Sequence, residues 1–380
     1  MVETPSSLWY TLRNGEYRGE MMAPDFEKAK RNRLDEFYTQ MFDIETELCH
    51  YKEQFRGKVI FCNCDDPYES NFFKYFALNF SFFGLKKLIA TCYVGSPIAD
   101  KQLSLFNYEA AENKTTRSPH KIEIIEVDDY NNDGAFDLSD VEFLLRNGKN
   151  VLTRLQGDGD FRSEECIELM KEADIIVTNP PFSLFREYVA QLVEYEKDFV
   201  IIGNTNALTY QETFKLIQED KMRTGYTKFN VGMYFFVPDY WEKFHKVDEF
   251  GRKLVRVSTT CWYTTLEVRK HKEIQPLFRK YTPEEYPRYV NYDAIEVSKA
   301  INIPMDYDGE MGVPITFLDR YNPDQFEIVG SSRNLGLPMS TIAPKGSYVG
   351  GGIRFYLPNN DGTYRCLYDR VVIRRIGAIS

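Results

Sequence analysis

Apolar positions along the chain come in two textures, which alternate as far as residue 270 and then stop alternating. Unbroken apolar runs at 58–64, 86–94, 151–155, 175–178 and 198–203 read as strands buried on both faces. Stretches with a helical period lie between them. Phe42, Ile44, Leu48 and Tyr51 fall on one expected helical face, which Gly57 ends. Over 71–83, Phe72, Phe73, Tyr75, Phe76 and Phe80 would face a sheet, and Ser70 is placed to cap that helix. Further helices are expected over 183–193 and 209–218, and one more behind Ser163 as its cap. Strand, turn, helix and strand in succession make a βαβ unit, whose two strands lie parallel. The expected class is α/β, with about seven principal strands, mostly parallel.

Three stretches break the alternation. Residues 1–34 lack a period and end in the basic cluster Lys28-Ala-Lys30-Arg31-Asn-Arg33, so they read as an arm with a short helix. Residues 95–150 read as an insertion, in which 121–127 alternates like an edge strand and 138–145 has a helical pattern. Inside it, Asp129, Asn131, Asp133, Gly134, Phe136 and Asp140 stand at the spacing of a calcium loop. The helix that should precede such a loop is missing, so an Asx-rich turn is the favoured reading and no metal site is expected. Residues 231–237 and 259–268 read as a late antiparallel pair closing the sheet. From His271 the texture turns to Pro, Tyr and Asp, with short strands near 349–357 and 364–376. The chain thus divides into an arm (1–34), a main domain (35–270) and a C-terminal region (271–380).

Composition narrows the class. Hydrophobic residues at 43% and charged residues at 27% suit a water-soluble globular protein. No apolar run approaches the roughly 20 residues of a membrane span, and the N-terminus has no basic-then-apolar leader. A cytoplasmic location without a membrane partner is therefore expected. The seven cysteines are odd in number, irregularly spaced and not grouped with histidines, which fits reduced thiols better than zinc or disulfides. A net charge of −10 argues mildly against a nucleic-acid partner. Local basic clusters at 28–33, 269–272 and 279–280 leave that question open. His50, His120, His245 and His271 form no catalytic constellation and read as structural or surface residues.

The stretch with the most chemistry is Asp174-Ile-Ile-Val-Thr-Asn179-Pro180-Pro181-Phe182. A buried strand runs straight into two prolines, which lack N–H groups and fix φ near −65°. Asn179 is pushed toward an extended conformation by the proline behind it. The chain is held open at the carboxyl end of a strand, where open α/β sheets place ligands. An amide oxygen, the Pro180 carbonyl and the Phe182 ring would protrude there. An exocyclic amino nitrogen on an aromatic ring is a poor nucleophile, because its lone pair is delocalised. Two acceptors on its N–H bonds draw the nitrogen toward tetrahedral geometry and free that pair. Stacking on Phe182 would hold the ring, a contact worth about 1–3 kcal/mol for a base on an aromatic. The alternative is a plain Pro-Pro turn with a buried Phe.

Four segments in order, Phe37-Tyr38-Thr39, Asn63-Cys-Asp65-Asp66-Pro67, Asp158-Gly-Asp160-Phe161 and Asn179-Pro-Pro-Phe182, resemble the adenine-specific DNA methyltransferases of the EcoRI modification type. Asp35-Glu-Phe-Tyr-Thr-Gln40, Ile201-Ile-Gly-Asn204 and Gly312-Val-Pro-Ile-Thr-Phe-Leu318 extend the likeness over roughly residues 33–328. The resemblance implies a Rossmann-like, S-adenosyl-L-methionine-dependent methyltransferase fold with a C-terminal DNA-recognition region. It implies methyl transfer to N6 of an adenine flipped out of a short sequence in double-stranded DNA, with Asn179, Pro180, Pro181 and Phe182 as the catalytic motif. It places Phe37, Tyr38 and Thr39 at the methionine side of the cofactor, with Asn63, Asp65 and Asp66 in the first turn. Asp158, Asp160 and Phe161 fall at its adenine ring, Asp160 being the choice for the amino group. The first turn departs from the usual pattern in having no G-x-G, and the second strand ends without a ribose-binding acid, in Thr91-Cys-Tyr93. A cognate restriction endonuclease is an implied, separate partner. Methylation of RNA adenine or protein glutamine, and an inactive DNA-binding relative, remain as alternatives; a calcium-dependent scaffold is remote.

Overall fold

The computed structural model describes residues 38–64, 70–91, 119–130, 136–137, 139–141, 143, 153–157, 159–229, 231–237, 241–350 and 352–377. The expected arm over 1–34 and most of the 95–150 insertion, including calcium-loop positions 131–135, lie outside the described residues. At that loop's end, Asp140 accepts from the backbone amides of Tyr130 and Asp137, both at 2.9 Å, as in an Asx-rich turn.

The first strands in chain order are β1 (Tyr38–Thr39), β2 (Val59–Cys62), β3 (Lys87–Thr91), β4 (His120–Ile124), β5 (Thr153–Arg154) and β6 (Ile175–Thr178). They are followed by β7 (Asp198–Asn204), β8 (Arg223–Thr224), β9 (Met233–Phe236), β10 (Lys246–Val247), β11 (Lys253–Val257) and β12 (Thr260–Thr264). Eight of these form the main sheet, in the order β5-β4-β3-β2-β6-β7-β12-β8. Its centre, β3-β2-β6-β7, is parallel, and antiparallel strands flank it on both sides. The chain moves outward from β2 to β3 and later returns to lay β6 against the other side of β2. That reversal is a topological switch point, and in open α/β sheets ligands bind outside the strand ends there.

Both faces of the sheet are covered, as the unbroken apolar runs required. Ile60, Cys62, Ile175, Val177, Val200 and Ile202 point to one side and pack with Phe72, Phe73 and Phe76 of the helix Asn71–Leu78. The alternate residues Phe61, Ile176, Phe199 and Ile201 point to the other side. There they meet the helices Glu164–Glu172, Phe185–Glu194 and Gln211–Gln218 and the C-terminal strands.

Local differences from the sequence reading have simple causes. Phe42 is 76% exposed: it lies two residues before Ile44, so it points away from the face that Ile44 and Leu48 bury. The expected helix over 71–83 is two pieces, Asn71–Leu78 and Phe80–Phe83, and Gly84 ends it at φ 62°. Residues 231–237 and 259–268 do not pair with each other. β12, buried along its whole length, inserts beside β7. β9 alternates buried and half-buried positions, and joins a small accessory sheet in the order β1-β9-β11-β10. A strand with one apolar face suits an outer layer, whereas a strand apolar on both faces belongs inside.

The C-terminal region holds a second four-stranded sheet built from Ile295–Glu296, Met311–Pro314, Arg370–Arg375 and Phe326–Ser331. His271 ties it to the main sheet, with Nδ1 2.8 Å from the Tyr321 carbonyl and Nε2 2.9 Å from the Thr224 carbonyl. Burial pushes the pKa of this imidazole down. Among the described residues, no helix is long and apolar enough to cross a membrane.

Candidate active site

The carboxyl ends of three neighbouring strands are tied together at Asn63, the fully buried residue that follows β2. Its Oδ1 accepts from the Thr91 hydroxyl at the end of β3 (3.2 Å) and from the Cys64 amide (2.9 Å). Its main-chain carbonyl accepts from the hydroxyl of Thr178, the last residue of β6. The residue after Thr178 is Asn179, so the catalytic motif expected from sequence begins at the switch point, one residue beyond this tie.

Asn179 is half-buried, Pro180 and Pro181 are buried and Phe182 is half-buried. The Asn179 Oδ1 atom is covered by protein, so presenting it to a ligand requires the amide to rotate. Behind the prolines the chain makes a turn of 3₁₀ helix, Phe182–Leu184, and then the helix Phe185–Glu194. That helix begins against β7 because Gly203 has no side chain: a Cβ there would lie 2.3 Å from the Phe185 ring.

Phe182 meets the ring of Phe235 edge-on, centroids 6.4 Å apart. Phe235 of β9 is the register partner of Thr39 in β1, and the Thr39 carbonyl accepts from Asn71 Nδ2 at 2.7 Å. The fold thus brings Thr39 of the first motif beside Phe182 of the last, by way of a strand the sequence reading had placed elsewhere. Tyr38 continues the pairing through its backbone, opposite Phe236.

Phe161 is buried edge-on against Tyr188 (5.0 Å), and Gln191 Nε2 donates to its carbonyl at 2.9 Å. Tyr188 and Gln191 both stand on the helix that follows the catalytic motif, so one helix positions two motifs. Asp160 accepts from Arg162 through Nε (2.8 Å), Nη2 (2.7 Å) and the backbone amide (2.9 Å). That carboxylate holds the Arg162 guanidinium well above its ordinary pKa. An amino group recognised by Asp160 would therefore share it with Arg162. Phe37, Asp65, Asp66 and Asp158 lie outside the described residues.

Two buried polar atoms at these strand ends, Asn63 Nδ2 and Thr39 Oγ1, have no hydrogen-bond partner. Leaving such groups unpaired costs about 1–3 kcal/mol each, and a polar ligand would recover that. An amide donor, a hydroxyl and a nearby buried aromatic fit a ligand with an amino-acid end and a ring end, as S-adenosyl-L-methionine is. Thr91, Thr178, Gln191, Gly203 and Phe235 were not singled out from sequence. The only hint was position, since Thr91, Thr178 and Gly203 close apolar runs.

Residues 25–376 match the family model described as adenine-specific methyltransferase EcoRI. The chain is 46% identical to Type II methyltransferase M.EcoRI of Escherichia coli over 314 residues, covering 80% of this chain and 87% of that protein. It is 33% identical to Type II methyltransferase M.MpnI of Mycoplasma pneumoniae over 360 residues, covering 92% and 98%. No solved structure matches the chain.

Proposed function

The chain belongs to the EcoRI family of adenine-specific methyltransferases, and from that premise we propose that Asn179, Pro180, Pro181 and Phe182 carry out the methylation of adenine N6 in double-stranded DNA. S-adenosyl-L-methionine, when bound, supplies an electrophilic methyl group on sulfur. Thr39, Asn63, Asp160 and Phe161, with Phe37, Tyr38, Asp65, Asp66 and Asp158, are the residues that would hold it.

The target amino group is hidden in the base stack, so the adenine must leave the duplex to be reached. Phe182 then supports the base, and the Asn179 amide oxygen and the Pro180 carbonyl accept the two N6–H bonds. Both acceptors act by position and hydrogen bonding, with no covalent intermediate on the protein. The buried prolines fix the main chain, so Pro180 offers its carbonyl without reorganising. Residues 35–270 act as the catalytic domain and 271–380 as the region that reads the target. The protein works in the cytoplasm, and a cognate restriction endonuclease recognising the same sequence is its functional counterpart.

The observation that carries this reading is the tie between Thr178 and Asn63, which sets Asn179 at the switch point between two strand ends. The test is to express the protein in cells lacking adenine methylation and sequence the modified bases of their DNA. N6-methyladenine in one short sequence context, absent with Asn179→Ala, is the expected result. Methyl transfer to RNA or protein alone would overturn the proposal.

A further inference from the structure

The accessory sheet that carries Phe235 to Phe182 ends in a hairpin whose tip is rigid, cationic and crowned by an exposed aromatic. β10 and β11 pair through Lys246 with Leu254 and Val247 with Lys253. Asp248 builds the turn: its Oδ1 accepts from the amides of Phe250 (3.0 Å) and Arg252 (2.8 Å), and its Oδ2 accepts from Arg252 Nε (2.8 Å). Gly251 takes φ 81°, which closes the turn. The Arg252 guanidinium lies over the Phe236 ring at 4.0 Å and within 5.2 Å of the Phe250 ring, so the tip is braced against the sheet. Phe250 itself is 74% exposed.

A braced turn holding a large apolar ring in water is costly unless the ring has a destination. Between 241 and 256 the chain carries five Lys or Arg against three acids, in a protein whose net charge is −10. A locally basic, aromatic-studded hairpin on an acidic protein is complementary to a polyanion. Phe236 pairs with Leu254, next to the Phe235 that touches Phe182. Phe250 lies four residues before Leu254, so the tip stands about 13 Å beyond that pair at strand rise. A short reach from the catalytic motif suits a duplex lying across the strand ends.

We propose that Phe250 inserts into the duplex at the target pair, as an apolar wedge that favours the extrahelical adenine, while the cations beside it hold the phosphates. The proposal rests on the DNA-adenine reading above and adds a positioning residue that does not touch the reacting atoms. Apolar side chains of this kind unstack neighbouring bases when inserted, and extrusion costs least when the base is already unpaired.

The experiment uses the full chain and a duplex containing the sequence context mapped by base sequencing, in two forms: target adenine paired with thymine, and target adenine opposite an abasic site. Single-turnover methylation by Phe250→Ala is expected to fall about tenfold or more on the paired duplex and less than about threefold on the unpaired one. Phe250→Trp should remain within about threefold of the parent on both, since Trp is also a large planar wedge. Equal losses on both duplexes, or no loss on the paired one, would overturn the wedge. Failure of the unmodified protein to methylate either duplex would instead defeat the function proposed above, and the wedge with it. Thermal melting of Phe250→Ala should match the parent, because the ring is exposed.

Discussion

The hydroxyl of Thr178 donates to the main-chain oxygen of Asn63 across the point where the sheet changes its winding direction. Both residues are fully buried, so the bond is not exchanged for one to water. Thr178→Val keeps the side-chain volume and removes the donor. The expected loss is about 1–3 kcal/mol of stability, seen as a lower denaturant midpoint with an unchanged slope. Because Asn179 follows directly, the single-turnover rate should fall as well. Thr178→Ser, which retains the hydroxyl, should recover most of both.

Asn179→Ala removes one of two acceptors for the amino group and leaves the prolines and Phe182 in place. Losing a single preorganised polar group that acts in a transition state typically costs about 10²–10³ in rate. Single-turnover methylation should fall by about that much, while DNA affinity stays within about threefold. A variant with near-normal turnover would remove Asn179 from the chemistry.

The strands at the heart of the site were legible because β2 and β6 are apolar on both faces. So were the helix caps: Ser70 Oγ accepts from the Phe72 and Phe73 amides, and Ser163 Oγ from the Cys166 amide. β1 was not legible as a strand, since it is two residues long and its partner β9 lies far down the chain. The C-terminal strands escaped for a different reason. Glu296 sits in one of them, buried, with Arg370 of another bonded to it through Nη2 at 2.7 Å and Nε at 3.0 Å. An interior ion pair makes a strand look polar, which erases the alternation that reveals strands. Which residues read bases could not be found by pattern at all, because no pattern of period or capping governs them.

Gly203 and Phe185 set the distance between β7 and the helix that positions both the catalytic motif and Phe161. In Gly203→Ala the new methyl would meet the Phe185 ring, so the ring must leave its site or the helix must shift. Overpacking of this kind costs about 1–3 kcal/mol. Activity should fall more than stability alone explains, with a higher KM for S-adenosyl-L-methionine because Gln191 and Tyr188 move with the helix. The paired variant Gly203→Ala with Phe185→Leu makes room for the methyl and should regain part of the lost stability.

Asp43 gives the clearest prediction in pH. It lies in the first turn of the helix Met41–Leu48, half-buried, and the Tyr234 main-chain amide of β9 donates to it. Burial raises its pKa from 3.8 to about 6, and the Tyr234 amide offsets only part of that rise. The folded protein therefore holds this proton more tightly than the unfolded chain does. Below pH 4 the carboxyl is protonated in both states, and its contribution to stability is fully present. As pH rises through about 6 that contribution is lost, because the native state must then carry a poorly hydrated charge. Two units correspond to about 3 kcal/mol, and solvent reaching a half-buried group reduces this to roughly 1–2 kcal/mol. Asp43→Asn should thus be more stable than the parent at pH 7 by about that amount, and no more stable at pH 4. Denaturant titrations at both pH values check this. A variant that is less stable at pH 7 would mean that the Tyr234 bond to the charged carboxylate outweighs its desolvation.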